Sequence, residues 1–224
     1  GTAYSPLIIG SAGDAGSEGG ATEVELFSDS SCLVEMSAGT AAAFSSTGVM
    51  ASLADNATTW IYGRTLDLAG NTSACTLLTD FVHDSIAPAP PSLLQFNPPP
   101  PVRDTQYTSL VGSLNAGAAD AVEIRLYDSD SCQTQIGVGT RQQWLTTGIQ
   151  ARLEVNTINT LHARSFDLAG NGSTCSLMGS FEHDSFPPDA ASFVATVPAS
   201  PNNSSTTPKI VGNAPEDAVR VHLY

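Results

Sequence analysis

The sequence predicts an all-β chain arranged as tandem β-sandwiches, with one disulfide in each complete repeat. Three observations carry this. Landmark strings recur after 100 residues, short apolar runs alternate between clusters of turn-forming residues, and the cysteines come as one pair per repeat.

The repeat sets the frame, because self-similarity at a fixed period decides the architecture before any local reading. ELFSDSSC at 25–32 matches RLYDSDSC at 125–132, DLAGN at 67–71 returns at 167–171, and HDS at 83–85 returns at 183–185. Aligning 25–88 on 125–188 needs no gap and gives 24 identities in 64 positions. PKIVGNAPEDAVRVHLY, 208–224, parallels TSLVGSLNAGAADAVEIRLY at 108–127, and both parallel SPLIIG at 5–10. The expected organisation is a first repeat over 1–88, a second over 89–188, and the start of a third over 189–224. The third has room for about a third of the strands of its predecessors. The expectation is that the natural chain continues past Tyr224; the alternative is that a neighbouring chain supplies the missing strands by β-strand addition.

Within a repeat the periodicity is that of strands. Residues 121–127 and 22–27 alternate and are rich in β-branched and aromatic side chains. Ile61, Gly63 and Thr65 alternate with Trp60, Tyr62 and Arg64; Leu161, Ala163 and Ser165 alternate with Thr160, His162 and Arg164. The first set of each is placed inward, since small residues there let a facing sheet approach. No window carries a helical stripe with caps. DLAGN reads as a hairpin turn in which Asp67 and Asp167 bind backbone amides, and Gly70, Asn71, Gly170 and Asn171 tolerate positive φ. The proline runs IAPAPPS (86–92), NPPPP (97–101) and FPPDA (186–190) belong at edges or between domains, where they would hold successive repeats as a stiff string.

Cys32, Cys75, Cys132 and Cys175 allow three connectivities. Each repeat carries its own pair 43 positions apart, and this duplication favours Cys32–Cys75 and Cys132–Cys175. The spacing lacks the CxxC clustering of a zinc site, and paired cysteines of this kind point to an oxidising, extracellular or cell-surface compartment.

Composition removes several function classes. Hydrophobic residues make up 41% and charged residues 13%, so charge does not drive disorder. Eight basic residues against 22 acidic give a formal net charge of −14, which disfavours nucleic acid and anionic membrane surfaces. No apolar run is long enough to cross a bilayer. Lys209 is the single lysine, which removes Schiff-base and P-loop chemistry. His83–Asp84 and His183–Asp184 are strand neighbours that point to opposite faces, so they do not form a base–orienter couple; their placement suggests interdomain packing instead. Asp128-Ser129-Asp130 and Ser28-Asp29-Ser30 lack the glycine and distal glutamate of an EF-hand and read as solvated loops. Trp60, Tyr62 and Arg64 form an outward strip belonging to the first repeat alone, and sequons begin at Asn56, Asn71, Asn171 and Asn203. No catalytic residue and no cofactor is predicted.

The ordered set of motifs resembles the bacterial immunoglobulin-like repeats of large secreted adhesins and cell-surface proteins. The strings are PLIIG, SLVG or KIVG; then VELF or EIRLY; then GT at 39–40 and 139–140. ATTWIYGRTLDLAGNTS and INTLHARSFDLAGNGS follow, with HDSIAP and HDSFPP closing each repeat. The cysteine pair departs from the commonest members. The resemblance implies immunoglobulin-like sandwiches of about seven strands used as stalk or adhesive modules. It also implies a place for calcium at domain junctions, near Asp67, Asp84, Asp167 and Asp184. The expected function is non-enzymatic: a stiff extracellular spacer, or a filament or surface-layer component. Its partners would be other repeats of the chain, copies of itself or a surface ligand. The alternatives are a carbohydrate- or protein-binding module of a secreted hydrolase, and an assembly subunit completed by a neighbour's strand.

Overall fold

A computed structural model describes residues 5–13 and 19–224. Residues 1–4 and 14–18 of the expected first repeat lie outside the described residues. Contacts divide the chain into two compact units: Gly1–Pro88 with Asp167–Gly172, and Ala89–Phe166 with Ser173–Tyr224. The chain is all-β, and each unit is a sandwich.

The first unit runs β1 (Leu7–Ile8), β2 (Ala21–Phe27), β3 (Glu35–Thr40), a one-turn helix α1 (Ala41–Phe44), β4 (Val49–Met50), β5 (Thr58–Asp67) and β6 (Thr76–Val82). A four-stranded antiparallel sheet has the order β3-β2-β5-β6, and β1 pairs with β4 in the second layer. Val24, Leu26, Phe44, Val49, Ala51 and Ile61 form its core. The alternation placed Ile61 and Gly63 inward, and both are buried.

The second unit runs β7 (Ser92–Asn97), β8 (Tyr107–Ser113), β9 (Glu123–Tyr127), β10 (Gln135–Thr140), α2 (Arg141–Leu145), β11 (Ile149–Arg152), β12 (Thr157–Phe166) and β13 (Ser176–His183). Its layers are the four-stranded β10-β9-β12-β13 and the three-stranded β11-β8-β7. These seven strands enclose Leu110, Ile124, Leu126, Trp144, Leu161, Ala163 and Phe181, all essentially inaccessible to solvent. Strand β14 (Ser192–Val197) and strand β15 (Lys209–Asn213) follow as a separate antiparallel hairpin.

Two sequence expectations are corrected. The GT strings start one-turn helices that four or five residues cannot reveal by periodicity. Thr40 and Thr140 are their N-caps, accepting from the amides of Ala43 and Gln143, and Thr140 with Gln143 forms a capping box. α2 places Trp144 in the core, where its indole N–H donates to the Ser113 carbonyl at 3.2 Å. The IAPAPPS run is more than a linker, while NPPPP takes an edge position inside the second repeat, as expected of it. NPPPP lies in the connection between β7 and β8, while Ala89 donates to the Gly117 carbonyl and Pro91 is fully buried in the second unit.

Candidate functional site

The residues singled out by the repeat lie at both ends of each four-stranded sheet, the DLAGN turn where β5 and β12 end and HDS where they begin, with a disulfide between the flanking loops. Cys32 ends a loop after β2, with φ of 50° and its side chain buried. It bonds Cys75, just before β6, with Cα atoms 5.9 Å apart. Cys132 and Cys175 form the same bridge in the second unit, also with Cα atoms 5.9 Å apart. Both separations lie within the ordinary range for a disulfide. Each bridge therefore ties the loop after one inner strand to the connection that leaves its sheet partner.

The loop that presents Cys32 is organised by Asp29. Its carboxylate accepts from the amides of Ser31, Leu33 and Val34 at 2.9, 3.0 and 2.6 Å. The Val34 bond leads the set that holds this carboxyl below its ordinary value. The expectation of a plain solvated loop missed this role. Residue 129 is serine, so the repeat gave no signal for it.

In the DLAGN turn, Asp67 Oδ1 accepts from the amides of Ala69 and Asn71 and Oδ2 accepts from Asn71 Nδ2 at 2.7 Å. The Asn71 side chain is the first cause of a lowered Asp67 pKa. Gly70 takes positive φ (85°), whereas Asn71 does not: it serves through its side chain. The second copy repeats the arrangement, with a buried Asp167 accepting from Asn171 N and Nδ2 at 2.8 and 2.9 Å and Gly170 at φ 90°. The hydroxyls of Ser73 and Ser173 close each turn by accepting from the amides of Thr65 and Ser165.

Each histidine holds a bend of its own repeat. His83 Nδ1 accepts the amide of Asn56 at 3.0 Å, and His183 Nδ1 accepts that of Asn156 at 3.0 Å. Both asparagines have positive φ, 52° and 54°, and their side-chain oxygens accept from the amide and hydroxyl of Ser85 or Ser185. HDS thus locks the bend that starts the long strand of its own unit. The sequence carries the signal, since Asn56 and Asn156 recur 100 positions apart, although Asn56 also heads a sequon.

The positions named for calcium divide by what holds them. Asp67 binds its own turn, while Asp84 and Asp184 each accept from an amide two residues on, at Ile86 and Phe186. Within the first unit, Asp84 and Asp167 bring carboxylate oxygens within 4.8 Å of each other, and Asn171 Nδ2 donates to the Asp84 carbonyl at 3.1 Å. Of the outward strip, Trp60 is 51% exposed, while Arg64 pairs with Glu25 and lies 4.9 Å from the Phe27 ring centroid. Arg64 is therefore engaged within its sheet. Tyr62 is half-buried, so the strip reduces to Trp60.

No family model and no curated protein matches this chain. Among solved structures it is similar to the fibronectin(III)-like modules of Clostridium thermocellum CbhA, with a TM-score of 0.45 and 12% identity, covering 84% of this chain and 98% of that one. It is also similar to the BSP domain of a biofilm associated protein, with a TM-score of 0.26 and 14% identity, covering 82% of this chain and 30% of that one.

Proposed function

We propose that the chain is a non-enzymatic structural or adhesive repeat protein of the extracellular space or cell surface, acting as a stiff spacer. The observation that supports this most is the use made of the repeated polar residues. The Asp–Asn turn, the Asn–His–Ser lock and the Thr cap all bind backbone groups of their own surroundings, and a disulfide closes each sheet end. Groups engaged in this way hold geometry; they are not poised to move protons or attack a substrate. Both disulfides favour an oxidising compartment, and among the described residues no helix is long and apolar enough to cross a membrane.

Force spectroscopy on the full chain tests the spacer reading. Each unit should unfold in a discrete step. Reduction should lengthen each step by about 150 Å, the span of the 43 residues sequestered by a bridge at roughly 3.6 Å per residue. A chain that extends without discrete resistance would overturn the proposal.

A further inference from the structure

The outer face of the second unit's four-stranded sheet breaks a pairing rule that the first unit keeps. In the first unit β5 and β2 place Arg64 directly across from Glu25, and the two form an ion pair. The same register in the second unit sets Arg164 of β12 against Arg125 of β9, because arginine stands where the first unit has glutamate. Like charges directly opposite on neighbouring strands destabilise a sheet. The chain has eight basic residues against 22 acidic ones, so the meeting of two of the eight is not a by-product of a basic composition. A local rule broken without a folding gain points to a use for the site.

Neighbouring groups relieve the pair only in part. Arg125 Nε donates to Glu123 Oε1, and Arg164 Nε donates to the Ser173 carbonyl at 2.6 Å. Both guanidinium groups lie against one ring, their central carbons 4.1 and 5.1 Å from the Phe166 centroid. Among the described residues, Glu123 is the one carboxylate bonded to either arginine, and nothing accepts from their Nη groups. A guanidinium presents five N–H donors in a fixed fork. Two forks therefore keep their ends free, and one positive charge has no counter-charge. The side chains of Arg125 and Glu123 are 40% and 38% exposed, so a group from solvent can reach them.

We infer that Arg125, Arg164 and Glu123 form a binding site for a sugar acid, a uronate residue carried by a glycan. Its carboxylate takes the free Nη donors, which match a planar anion, and supplies the negative charge that Glu25 supplies to Arg64. Glu123 uses Oε1 for Arg125, which leaves Oε2 to accept from a hydroxyl beside the ligand's carboxylate. A sugar acid has that hydroxyl, whereas an Asp or Glu side chain lacks it. Val138, exposed and directly across from Arg125 on β10, and the Phe166 ring border the site with apolar surface for the C–H groups of a sugar ring. The chain's net charge of −14 repels polyanions, so the ligand is an isolated acid among neutral sugars. This goes beyond the spacer reading, which the force measurement tests by itself.

The test is a titration of the isotope-labelled full chain with sodium glucuronate, followed by amide NMR. Amides of 123–127 and 162–166 should shift and saturate, while those of 23–27 and 62–66, where Glu25 already pairs with Arg64, should stay in place. Glucose should leave both sets unmoved, and sodium acetate should bind more weakly than glucuronate. Arg125→Glu, which recreates the first unit's ion pair, should weaken glucuronate binding by about tenfold or more, with the second thermal transition held or raised. Arg125→Gln should weaken it in the same direction without the added pair. No saturable shift, equal shifts in the two units, acetate or a blocked glutamyl peptide binding as tightly as glucuronate, or binding that survives both variants would each overturn the inference.

Discussion

Replacing Cys32 and Cys75 together by alanine removes the first unit's bridge without leaving a lone thiol. The bridged residues are 43 apart. Loop-closure entropy for a ring of that size stabilises the folded state by about 4 kcal/mol at 25 °C, through the unfolded chain. The folded loop keeps its shape in the variant, since Asp29 still receives three backbone amides, so little of the effect arises from native rearrangement. For a unit of this size each kcal/mol moves the Tm by about 4–8 °C, so the first transition should fall by roughly 15–30 °C. Differential scanning calorimetry reads this directly, with the second unit, closed by Cys132–Cys175, as the internal reference. The paired variant Cys132→Ala/Cys175→Ala should give the mirror result. If both transitions fell together, or if the first moved by less than about 5 °C, the picture of two separately stapled cores would be wrong.

Gly112→Ala should destabilise the second unit by about 2 kcal/mol or more, because its Cβ would lie 2.0 Å from the Trp144 ring and 2.4 Å from the Ser92 carbonyl; urea titration followed by tryptophan fluorescence reports it. Asp29 and Asp67 both titrate below their ordinary value of 3.8, held there first by the Val34 amide and by the Asn71 side chain respectively. A depressed carboxylate contributes stability that is present above 3.8 and lost as pH falls through the lowered value. The first transition should therefore drop on acidification through that window, and Asp29→Asn with Asp67→Asn should flatten the acid limb. His162 is buried with its Nδ1 lacking a hydrogen-bond partner; His162→Phe should leave the second unit as stable or raise its stability by about 1 kcal/mol in the same urea assay.

Much of the fold was legible because it rests on period-two alternation and on landmarks that occur twice. Ile61 and Leu161 could be placed inward from local pattern alone, and both are essentially inaccessible. What escaped was carried by too few residues, or by partners far away in sequence. α1 and α2 have four and five residues, less than a periodic signal needs. The role of His83 depends on Asn56, 27 positions earlier, and that of Asp29 on a loop whose second copy has no carboxylate.

The same contrast bears on where recognition could lie. Positions identical in the two units, such as Thr40, Asn56, Asp67, Asn71, Ser73 and His83, meet the backbone of their own unit, so their recurrence is explained by folding. A surface that contacts something else is to be sought where the units differ and the side chain is exposed. Trp60, with Thr160 as its counterpart, qualifies. Leu33 and Val34 qualify as well: both are exposed beside the buried Cys32, both donate their amides to Asp29, and both give way to Gln133 and Thr134 in the second unit. A loop that is apolar at its tip and fixed by a carboxylate and a disulfide presents those side chains with little conformational freedom left to lose on contact. The second unit has exposed apolar side chains of its own that differ from their counterparts, Val155 for Asp55 and Ile158 for Thr58, so a comparison of the two units as binders, rather than of the chain against a blank, is the measurement that assigns any adhesive property to one of them.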